Sequence, residues 1–91
     1  MERNERIRKV IREIAQRRNN VTLSDIEWVM DKLAETYDVR CRAARHGLLY
    51  GISDKRFMVN CHNPGNRQVK TYSVDEFISV MIDLGLYEEE E

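Results

Sequence analysis

The sequence predicts a two-layer α+β domain, a three-stranded antiparallel sheet packed by helices in the order α-α-β-β-β-α. Three observations predict it. Apolar residues recur at helical spacing over residues 7–14, 26–33 and 74–81, the period shortens toward two between residues 38 and 61, and turn residues separate the short strands closely. Short connections make consecutive strands pair antiparallel, and amphipathic helices then cover one face of the sheet. Ninety-one residues form one domain, 1–91. A chain of this size buries roughly 60–65% of its unfolded surface, which is one core with little to spare.

The elements follow in order. "ERIRKVIREIAQRR" spaces Ile7, Val10, Ile11 and Ile14 along one helical stripe, so residues 1–20 read as an N-terminal helix ending near Asn19–Asn20. "SDIE" opens a second helix, with Ser24 as cap and Glu27 reaching back, and Ile26, Val29, Met30 and Leu33 buried. Trp28 and Tyr37 fall at its margin. "DVRCRA" alternates Val39, Cys41 and Ala43 with Arg40 and Arg42, a half-buried strand with a basic outer face. "HGLLYGI" is the second strand, its Gly47 and Gly51 marking a bulge or a close approach. "SDKR" is a turn, "FMVNC" the third strand, and "HNPGNRQVKT" a loop holding the only proline. "SVDE" begins the last helix, with Ser73 as cap and Glu76 at the third position. Val74, Phe77, Ile78 and Met81 are its apolar face, and Gly85 its stop before Leu86.

Net charge is −1, but its distribution is uneven. Residues 1–20 carry seven Arg/Lys against three Glu, and residues 37–72 seven against two Asp; residues 73–91 carry seven acids and no base. A basic middle and a basic first helix can face one polyanion, with the acidic elements turned away. The terminal Glu88–Glu91 reads as a solubilising acidic tail. No apolar run reaches the ~18 residues of a membrane span, and no signal-peptide pattern opens the chain. The expected location is the cytoplasm, with no membrane partner. Cys41 and Cys61 form no CxxC pair and read as reduced, core thiols. His46, Cys41, Cys61 and His62 match no usual zinc spacing, so neither metal nor cofactor is expected.

The joint order of several stretches resembles the HicA family of toxins, the small endoribonuclease subunits of HicA–HicB toxin–antitoxin pairs. The resemblance runs from about Ile7 to Leu86 and rests on "NNVTLSDIEWVMDKL", "AARHGLLY", "FMVNCHN" and "QVKTYSVDEFISVMIDLGL". His46 falls on the family's catalytic position. The chain departs from the pattern around it: Ala44 and Arg45 stand where the family usually has glycine and a small residue, and Gly47 where a second histidine is common. The resemblance implies a fold similar to the double-stranded-RNA-binding domain, cleavage of messenger RNA, and a HicB-like antitoxin partner. No DNA substrate is implied.

RNA carries its own nucleophile, so its cleavage requires only a base for the 2′-OH and cations for the phosphate. A neutral histidine, with an ordinary pKa of ~6.5, suits the first task, which gives His46 the role of general base. Arg42, Arg45, Lys55 and Lys70 are candidates for holding phosphates, with Arg40 beside Arg42 on one strand face. Tyr50 and Tyr72 are candidates for stacking on a base or bonding a ribose hydroxyl. The alternatives are a catalytically silent RNA-binding or protein-interaction module of the same fold, with His46 an ordinary histidine beside a hairpin turn, and a structural subunit with no nucleic-acid role.

Overall fold

Helical spacing, strand alternation and turn residues come together in a computed structural model that describes residues 2–45, 47–63 and 66–88. The elements are α1 (Glu2–Gln16), α2 (Leu23–Leu33), β1 (Val39–Ala44), β2 (Gly47–Ile52), β3 (Lys55–Asn63), β4 (Asn66–Val69) and α3 (Thr71–Asp83). The sheet is antiparallel in the order β1-β2-β3-β4. Helix α3 lies along β3, α2 meets β4, and α1 packs against α2 and α3. The α+β architecture is as read from the sequence, but the sheet has four strands, not three.

The added strand comes from the stretch read as a loop. β3 continues through Cys61 to Asn63, and the chain returns so that Val69 faces Cys61 and Asn66 faces Asn63. Val69 is apolar and buried, and its N–H donates to the Val21 carbonyl at 2.8 Å, while Thr22 bridges Gln68. Proline and glycine signals in the stretch conceal this four-residue pairing; Pro64 and Gly65 themselves lie outside the described residues.

Both helices begin two or three residues earlier than the Ser-x-x-Glu pattern suggests. Thr22, not Ser24, caps α2: Asp25 N–H donates to Thr22 Oγ1 at 3.4 Å, and Thr22 N–H donates to Asp25 Oδ2 at 2.9 Å. Burial works against ionisation of Asp25, but the Thr22 amide and the Arg17 guanidinium at 3.1 Å outweigh it and hold the carboxyl below its ordinary value. A carboxyl depressed in the folded state stabilises the fold above its unfolded pKa of ~3.9, and that contribution disappears as pH falls through the lower, folded value. Asp25→Asn is therefore expected to be less stable near neutrality and to lose less of its remaining stability below about pH 4, read by acid titration of the circular dichroism.

Helix α3 begins at Thr71 with Lys70 as a cap that makes no side-chain bond, which leaves Ser73 and Glu76 inside the helix. They serve the sheet instead. Asn60 N–H donates to Ser73 Oγ at 3.0 Å and Met58 N–H to Glu76 Oε1 at 3.4 Å, so α3 covers peptide groups of β3 that β4 is too short to reach. At its other end Gly85 adopts φ 76°. Leu86 N–H donates to the Met81 carbonyl and Gly85 N–H to that of Ile82, the paired bonds of a Schellman close that turns Leu86 into the core.

Ile7, Ile11 and Ile14 of α1 are buried, with Ile26, Val29, Met30 and Leu33 of α2 and Val74, Phe77, Ile78 and Met81 of α3. An aromatic column joins helix to sheet: Phe77 meets Phe57 edge-on at 5.8 Å, and Phe57 stacks on Tyr50 at 5.6 Å. The cover stops short of β1. Cys41 and Ala43 share the parity of Val39 yet are exposed, because β1 is the sheet's edge and the helices concentrate over β3 and β4. Cys61 is buried as expected, and Cys41 is not a core residue; both are free thiols. Among the described residues no helix is long and apolar enough to cross a membrane.

Candidate nucleic-acid interface

The parity of the strands builds the site. In β2, Leu48, Tyr50 and Ile52 point toward the helices, which leaves Gly47, Leu49 and Gly51 on the outer face. Cross-strand register extends that face in three rows: Arg40, Gly51 and Arg56; Arg42, Leu49 and Met58; Ala44, Gly47 and Asn60. Among the described residues no helix lies over it, and Arg40, Arg42, Arg56 and Met58 are exposed. The result is an open surface on which three arginines surround two apolar side chains, with a shallow depression of about 350 Å³ between Arg40, Arg42, Leu49 and Arg56.

The arginines are not equivalent. Arg40 donates to Asp38 Oδ2 at 2.6 Å and to the Ser53 carbonyl at 2.9 Å, and lies across Gly51, where a Cβ would come within 2.8 Å of its guanidinium. It is held flat. Arg42, Arg56 and the exposed Arg45 in the β1–β2 connection have no ion-pair partner among the described residues, which leaves their donors for an anion. Two further bases of the middle segment are occupied. Arg67 ties β4 to α2 through Glu27 at 3.0 Å, and Lys55 approaches Asp83 at 3.7 Å.

The sequence-predicted residues therefore separate. Arg40 and Arg42 share the outer face. Lys55 is on the other parity, in a hollow of about 420 Å³ with Glu76 and Asp83, a setting that repels phosphate. Tyr72 is half exposed beside the outer face; its hydroxyl accepts from Asn60 Nδ2 at 3.0 Å, and Lys70 Nζ is 5.8 Å from its ring centre. Tyr50 is in the core, 5% exposed, where stacking on a base is not open to it. Burial and the neighbouring Cys41 thiol push its phenol well above the ordinary value. His46 lies outside the described residues; its neighbours in the chain are Arg45 and Gly47. The first helix does not join this surface. It lies on the helical side, and Arg17 and Arg18, just past its end, pair with Asp25 and Asp75.

Arg56, Met58, Leu49 and Asn60 were not singled out from the sequence. The signal was there in β3, where Arg56, Met58 and Asn60 alternate with the buried Phe57, Val59 and Cys61. Gly47 has a sharper constraint: a Cβ there would lie 1.7 Å from the Val59 carbonyl oxygen. A backbone contact of that kind cannot move cheaply, so Gly47→Ala is expected to cost about 3 kcal/mol, read as a lower urea midpoint at unchanged slope.

Among the described residues no three His, Cys, Asp or Glu side chains form a cluster that would hold a metal ion. No protein-family model matches the chain, and neither a curated protein nor a solved structure does.

Proposed function

We propose that this chain is a HicA-like endoribonuclease, the mRNA interferase toxin of a toxin–antitoxin pair, with His46 as general base and no metal in the reaction. The observation that carries the reading is the uncovered outer sheet face, where Arg42 and Arg56 have no ion-pair partner among the described residues and which leads to the connection reading Arg45-His46-Gly47. The 2′-OH of RNA gives up its proton to the histidine and its oxygen attacks the adjacent phosphorus; the P–O5′ bond breaks to leave a 2′,3′-cyclic phosphate, the departing 5′-oxygen takes a proton from water, and the arginines stabilise the added negative charge. Tyr72, fixed by Asn60, offers a ring for an unstacked base, and Lys70 a further cation. The core order α-β-β-β-α is consistent with a fold similar to the double-stranded-RNA-binding domain, extended here by α1 and the short β4. A HicB-like antitoxin is the partner this reading implies.

The test is incubation of the full chain with a long single-stranded RNA in EDTA. Cleavage by the wild type and none by His46→Ala supports the proposal; equal cleavage removes His46 from it. Phosphate contacts carry their own signature. Each one released from single-stranded nucleic acid changes the slope of log affinity against log salt by about 0.7, so Arg42→Ala with Arg56→Ala is expected to flatten that slope by about 1.4.

One observation favours the silent binding module instead. The position after His46, where a second histidine is common in the resembled family, is a glycine packed against the Val59 backbone, so no side chain can act from it. Salt-sensitive RNA binding without cleavage, unaffected by His46→Ala, would establish that reading.

A further inference from the structure

We infer that the free edge of β1 is a docking site for one extended strand of a partner protein, acidic at alternate positions. Antiparallel strands alternate between residues that exchange hydrogen bonds with the neighbour and residues whose N–H and C=O point away. Ser53 N–H donates to the Asp38 carbonyl at 3.0 Å, in register with the β1–β2 ladder. The bonded positions of β1 are thus Arg40, Arg42 and Ala44, while Val39, Cys41 and Ala43 turn their peptide groups outward. Among the described residues these outward groups have no partner.

Among the described residues the other edge of the sheet is covered at several points. On β3, Met58 and Asn60 donate to Glu76 and Ser73, and Lys70 N–H donates to the Asn60 carbonyl at 2.8 Å. On β4, the Val21–Thr22 segment bonds Val69 and bridges Gln68. Among the described residues only β1 offers an unbroken row of peptide groups, over a strand of six residues.

Charge selects the occupant. An added strand would set its outer-face residues beside Arg42, which has no ion-pair partner among the described residues, and Arg40, held by Asp38; Asp or Glu would pair with Arg42 and Lys or Arg would be repelled by it. Its other residues would lie beside the exposed Cys41 and Ala43 and the half-buried Val39 and Leu48, a place for small apolar side chains. A second copy of β1 fits poorly. With faces matched, self-pairing sets Arg40 opposite Arg40 or Arg42, or Arg42 opposite itself, and like charges directly opposite are destabilising. Charged residues on an edge commonly guard against indiscriminate strand addition. Here they refuse a copy and admit an acidic strand.

The test uses the full chain and a short synthetic peptide alternating glutamate and valine, with a lysine–valine peptide of equal length as control. Binding is read by calorimetry and by amide hydrogen exchange. The acidic peptide is expected to bind, to weaken with added salt, and to slow exchange at Val39, Cys41 and Ala43 by more than about tenfold. Cys41→Pro removes an outward N–H without touching the ladder to β2, and an edge is where a strand tolerates proline. It is expected to weaken the peptide by more than about tenfold while leaving RNA affinity, which rests on outer-face side chains, unchanged. Ala43→Pro makes the same test at a position with no side-chain role. Equal binding of both peptides overturns the inference, as does protection at Met58 and Asn60, or unchanged binding in the folded proline variants. Two further results would overturn it by naming another occupant: protection without peptide in a dimer seen by sedimentation, or equal protection of these amides by RNA.

Discussion

Phe77→Ala is expected to destabilise the fold by about 3–5 kcal/mol, the range for deleting a fully buried aromatic ring. Phe77 has no exposed surface and touches Phe57 edge-on, and Phe57 in turn stacks on Tyr50, so one ring links α3 to β3 and through it to β2. Its loss leaves a cavity where the helix presses on the sheet, and Phe57 and Tyr50 beyond it sit on strands paired in the sheet, which limits collapse into it. For a domain of this size each kcal/mol lowers the melting temperature by roughly 4–8 °C, so thermal unfolding should move down by well over ten degrees. The outer face is on the opposite side of the sheet and keeps its arginines. RNA affinity measured well below the new midpoint should therefore be unchanged, which separates the core's task from the surface's.

His46→Ala is expected to lower the rate of RNA cleavage by roughly 10²–10⁴-fold, the usual worth of a positioned general base. That corresponds to about 3–5 kcal/mol of barrier, comparable to the whole cost of the Phe77 cavity but paid in a different measurement. Urea midpoint and RNA affinity should hardly change, because in the proposed function the arginines, not the imidazole, bind the phosphates. A single-turnover assay, beside the binding isotherm of the variant, separates a lost base from a lost contact.

The helices were legible because their stripes are unambiguous: Ile7, Ile11 and Ile14, or Val74, Phe77, Ile78 and Met81, fit only one period, and all are buried. Cap positions were less legible. Ser24 and Ser73 each precede a glutamate by three residues, but the first intrahelical bonds form earlier, at Thr22 and Lys70. Hydrogen-bond competition at a helix start is settled by where the preceding chain arrives, which is a tertiary matter. The outer face was half legible. Arg40 and Arg42 could be assigned to one side by alternation, whereas "GLLYGI" has apolar residues at both parities, so nothing local tells Tyr50 from Leu49. The exposure of Cys41 and Ala43 follows from where the helices end and has no mark in β1 itself.

The side-chain cover that Ser73 and Glu76 give to β3, together with the Val21–Thr22 segment along β4, makes the sheet a one-ended object. Fibrils of stacked strands need two open edges so that each added chain presents a fresh template. Among the described residues β1 is the edge left open to extension, so the strand addition inferred above would form a closed pair and not a growing stack.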